Sequence, residues 1–142
     1  MPAVYALAFL CAVIGTIYVS LKAKPLGGLR YRWATFIGVS GLVFSVPGFY
    51  QDYWLYPDIH LLNLAFYCCS VASNVEILRR RRLGIVMLPV GLLLAIVRYP
   101  YLRTVTWDRP YNFAGFVLLV AAIGIVNLAY FKKRWHLLGA KI

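Results

Sequence analysis

Residues 59–82 read IHLLNLAFYCCSVASNVEILRRRR. The first twenty of them suit one crossing of a bilayer core, which takes about 20 mostly apolar residues, and four consecutive arginines then stop it. One side of a helix through this stretch is polar. His60, Asn63, Tyr67, Ser70 and Asn74 recur at alternating spacings of three and four, which at about 100° per residue keeps them within an arc of roughly 80°. The opposite side carries Leu62, Ala65, Cys69, Ala72 and Ser73. Lipid offers no hydrogen-bond partners, so a crossing with one polar stripe turns that stripe toward other helices. The stretch therefore predicts a multi-pass bundle packed around it.

Composition points the same way. Of the 142 residues, 63% are hydrophobic and 13% charged, against roughly 25% charged in a soluble domain. One small core cannot hide that much apolar surface, so the solvent must be lipid. The sequence predicts an all-α integral membrane bundle, a single transmembrane domain over 1–142, with helices at about 4–21, 33–50, 59–78, 83–102 and 113–131. The first reads as an uncleaved anchor, because no basic segment precedes it. In the second, Gly38 and Gly41 permit close helix contact. Pro47-Gly48 should kink or end it, leaving an aromatic and acidic loop at 51–58. The fourth reaches full length only if it includes Arg98, which then lies near the far interface, snorkelling or paired.

Charge fixes the expected orientation. Twelve of the fifteen basic residues fall in three short segments: Lys22, Lys24, Arg30 and Arg32; Arg79 to Arg82; and Lys132, Lys133, Arg134 and Lys141. By the positive-inside rule these face the cytoplasm, so the N-terminus is outside and the C-terminus cytoplasmic. A four-crossing arrangement would strand one basic cluster on the wrong side. The default location is an inner (plasma) membrane, multi-pass, with an organelle membrane left open. The net charge of +11 is thus topogenic, and nucleic acid is not an expected partner, since no cytoplasmic domain presents a groove reader.

Three regions are candidate sites. The stripe His60, Asn63, Tyr67, Ser70 and Asn74 is either a polar lane or pocket for a solute, or a set of interhelical hydrogen bonds. The outer-face residues Arg98, Arg103, Arg109, Asp52, Asp58 and Asp108, with His60 and eight aromatics, read either as an aromatic belt with salt-bridged loop ends or as an anion or headgroup site. Arg79, Arg80, Arg81 and Arg82 are cytoplasmic contacts for anionic lipid headgroups. Glu76 falls one turn before Arg80, an i, i+4 ion pair. Cys11, Cys68 and Cys69 lack metal-ligand spacing and read as free, packed thiols. There is no P-loop, H-E-x-x-H, G-x-S-x-G or dinucleotide fingerprint. No metal and no cofactor is expected, while bound lipid is compatible with the pattern.

The sequence names no reaction. Its leading expectation is a non-catalytic subunit or accessory protein packing in a larger membrane assembly, with other membrane chains or copies of itself as partners. The alternatives are a homo-oligomeric transporter or channel using the lane on the third helix, and a lipid-headgroup-binding or lipid-modifying protein using the outer cluster.

Overall fold

A computed structural model describes residues 2–22, 32–101 and 110–139. Five α-helices account for nearly all of them: α1 (Pro2–Lys22), α2 (Arg32–Leu55), α3 (His60–Leu78), α4 (Arg82–Arg98) and α5 (Pro110–Lys132). Short 3-10 turns follow at Pro57–Ile59, Tyr99–Tyr101 and Trp135–Leu137. No strand occurs among the described residues, and all five helical segments are long and apolar enough to cross a membrane. Arg103, Asp108 and Arg109, like Lys24, Arg30 and Lys141, lie outside the described residues.

The second helix departs most from the expected boundaries. It runs through Pro47 to Leu55, so Pro47-Gly48 does not end it and most of the supposed 51–58 loop is helical. Pro47 removes one backbone hydrogen bond, but stopping there would free several peptide groups at a new helix end. Continuing the helix also carries Asp52 inward, to a partner on α4. The fifth helix begins earlier than expected, at Pro110, whose missing N–H is harmless in a first turn.

Close packing around α3 fixes the layout. A Cβ added at Gly84 would lie 2.7 Å from the Ile77 nitrogen and from the Ser73 carbonyl oxygen, so α4 leaves the arginine turn in backbone contact with α3. On the α2 side, Gly38 faces Leu78 and Gly41 faces the Asn74 amide, too close for any side chain. Arg80 takes φ 59°, a left-handed residue that lets α3 double back into α4. At this end Ala34, Ile77, Ile85, Phe131 and Leu138 form one buried cluster, joining α2, α3, α4, α5 and the segment after α5.

The two ends of the described chain lie at opposite ends of the bundle. Tyr5 on α1 donates a hydrogen bond to Gln51 near the end of α2. Gly139 donates its backbone N–H to the Arg80 carbonyl at 3.0 Å. α5 rests on α4 through Gly124 against Leu92, and on the turn after α4 through the Tyr99–Phe116 ring stack, centroids 4.4 Å apart.

Candidate functional site

Asn63 and Tyr67 sit one turn apart on α3, with Phe66 beside them. The last residue of α4 and the last turn of α2 meet them there. Arg98 Nη1 donates to Asp52 Oδ2 at 2.6 Å and to Asn63 Oδ1 at 3.1 Å. The Tyr67 hydroxyl donates to the same Asp52 oxygen at 2.5 Å. The guanidinium lies over the Phe66 ring at 4.2 Å and over the Tyr67 ring at 5.2 Å. Arg98 is 9% exposed, Asp52 8% and Asn63 1%, so this ion pair is formed away from water.

Burial makes this cluster a brace. Two opposite charges withdrawn from water gain little net stability as a pair, but removing one strands the other at a cost of about 3–5 kcal/mol. Asp52 carries the Arg98 ion pair and the Tyr67 bond, and the ring faces of Phe66 and Tyr67 supply a cation–π contact of about 1 kcal/mol or more. Gly48, one turn before Asp52 on α2, leaves room for the Tyr67 hydroxyl, which would lie 2.9 Å from a Cβ there. Two buried donors, Asn63 Nδ2 and Arg98 Nε, have no partner among the described residues. Tyr56, just past α2, has its hydroxyl pKa raised by burial and then by the Asp52 charge, with Arg98 opposing, so it stays protonated at neutral pH.

The stripe read from the sequence is not one continuous lane. Asn63 and Tyr67 belong to the Asp52–Arg98 cluster. Asn74 is about 16 Å further along the helix, where its Nδ2 donates to the Ser70 carbonyl at 2.8 Å and contacts the Ser70 hydroxyl at 3.4 Å. His60 departs from the stripe altogether. It is exposed, and its ring stacks on Tyr53 with centroids 4.6 Å apart. Asp58 is exposed as well, and no hydrogen bond joins it to His60 among the described residues.

Ser73, assigned by the sequence to the apolar side, is buried and donates to the Gly84 carbonyl at 2.7 Å. α3 is covered by α2 on one side and α4 on the other, so its buried arc is wider than the stripe. Gly84 was the available signal, a small residue at the start of the next helix.

At the other end the four arginines do not form a uniform face. Glu76 pairs with Arg79 at 3.4 Å and with Arg81 at 3.5 Å. Arg82 is half-buried, with Nη2 donating to the Trp135 carbonyl at 3.3 Å and its guanidinium 4.9 Å from the Trp135 ring. The cysteines are free, but Cys11 and Cys68 face outward and are not packed. Both lie on apolar helix faces, where a thiol tolerates lipid as well as a core.

No group of three or more metal-binding side chains occurs among the described residues. No protein-family model, characterised protein or solved structure matches the chain.

Proposed function

We propose that this chain is a non-catalytic integral membrane subunit or accessory protein that packs within a larger membrane assembly. In this reading its five helices cross an inner (plasma) membrane, with the N-terminus outside and the arginine turn in the cytoplasm. The observation that carries it is the Arg98–Asp52–Asn63–Tyr67 cluster. It supports the reading because polar groups suited to a solute path or a headgroup site are engaged in joining α2, α3 and α4. Small residues follow the same division. Gly38, Gly41 and Gly84 are filled by neighbouring helices of the same chain, whereas Gly115 on α5 meets nothing within 4 Å among the described residues. One turn on, Leu118 and Leu119 are exposed, an apolar helix face free for a neighbouring chain.

The test is the mass of the protein extracted from its own membrane in mild detergent. A complex containing other chains or further copies is expected, and a stable lone monomer overturns the reading. The transporter alternative draws on the unpartnered Asn63 Nδ2 and Arg98 Nε, two donors that a passing acceptor would meet. Asn63→Leu with Asn74→Leu separates the two. Loss of flux with normal folding favours transport, and weakened helix packing with no flux phenotype favours the structural role.

A further inference from the structure

Between α5 and the α1–α2 pair lies an open apolar groove of about 750 Å³. Phe9, Phe36, Ile37, Phe44, Ile123 and Val126 form most of its wall. Polar groups reach it at a few points: Ser40, Asn74 and, at one end, Trp33 with Asn127, where the indole N–H donates to the amide oxygen at 3.4 Å.

Its length suits an acyl chain. Along α2 the lining runs from Trp33 to Phe44, about 16 Å of helix axis. That is close to one leaflet of a hydrocarbon core about 30 Å thick. The groove is open along its side, so an extended hydrocarbon chain can lie along this whole length against the apolar lining.

Charge then selects the headgroup. Gly15 meets Val39 across α1 and α2, and Lys22 and Arg32 are each seven residues from that contact on antiparallel helices, hence level with one another. Lys132 ends α5 little more than one turn past Asn127, and Lys133 follows it in the next turn, at the same end. Among the described residues no carboxylate pairs with these four cations. Glu76, the acid nearest that end, is engaged by Arg79 and Arg81. Trp33 stands at the groove's basic end, half exposed, as indoles do at a headgroup boundary.

We propose that the groove holds one anionic glycerophospholipid, its phosphate at Lys22, Arg32 and Lys132 and an acyl chain along Phe36 to Phe44. This rests on the membrane placement above and not on the assembly role. The probe is the purified protein exchanged into mixed micelles of phosphatidylglycerol and phosphatidylcholine in equal amounts, with bound lipid read by native mass spectrometry. The wild-type chain is expected to retain phosphatidylglycerol one to one and to exclude phosphatidylcholine. Arg32→Gln with Lys132→Gln weakens retention by about fivefold for each charge removed. Ala122→Trp, which fills the groove, abolishes it while helicity by circular dichroism is unchanged. Arg79→Gln with Arg81→Gln leaves it intact.

Equal retention of both lipids by the wild-type chain overturns the proposal without recourse to any variant. So does retention that survives Ala122→Trp, or an equal loss in the Arg79/Arg81 variant, which would mean diffuse surface attraction. Release of the protein from membranes by alkaline carbonate would instead defeat the membrane placement on which the proposal rests.

Discussion

The two ends of α3 are held by different means. At its start, Asn63 and Tyr67 join a buried ion pair reaching two other helices. At its end, Ser73, Asn74 and Ile77 are held by close backbone contact, with Gly84 and Gly38 admitting the neighbours. The first end relies on a few strong, mutually dependent contacts. The second relies on shape, and α5 joins it through a narrower strip that leaves the groove beside it open. Charge closes one region tightly, while packing closes the other in part and leaves an open groove beside it.

That contrast can be broken most severely at the ion pair. Asp52→Leu leaves Arg98 buried without its carboxylate and should cost about 3–5 kcal/mol in thermal or SDS-driven unfolding in micelles. The double change Asp52→Leu with Arg98→Leu should recover most of the loss, because apolar side chains replace the whole pair. A double variant no better than the single would mean that the pair contributes more than mutual neutralisation.

A smaller effect is expected at the packed end. Gly84→Ala places a methyl 2.7 Å from backbone atoms of α3 and should destabilise by about 1–3 kcal/mol, seen in the same unfolding measurement. Phe66→Leu removes one ring face from Arg98 and should cost about 1 kcal/mol. The mildest change is Asn127→Leu, which loses the bond to Trp33 and should shift stability by well under 1 kcal/mol, as interhelical polar bonds in membranes do. If it instead matched Asp52→Leu, the division between the two ends would fail.

Much of the helical plan could be read from residue types alone, because apolar length and basic punctuation are local properties. The relation of Asn63 to Tyr67 was equally legible, since helical spacing places both on one face. Asp52 was not. Pro47 reads as a terminator in isolation, and only the partner on α4 explains why the helix runs on past it. Ser73 was misplaced for a similar reason. A stripe drawn on one helix says nothing about how many neighbours cover it. The groove had no sequence signature, because it arises from where α5 leans on α4, and its lining comes from four separate helices.

The reach of α2 has one more effect. Its 24 residues extend about 36 Å, more than the roughly 30 Å of an average hydrocarbon core. Asp52 stands about 30 Å from Arg32 along that axis, so in the proposed membrane placement the ion pair would fall at the margin of such a core. Longer acyl tails would draw the pair deeper and make each charge depend more on its partner, while shorter ones would wet it and slacken the joint between α2 and α4. Bilayer thickness would thus act on this chain as a mechanical setting, felt first at a single carboxylate.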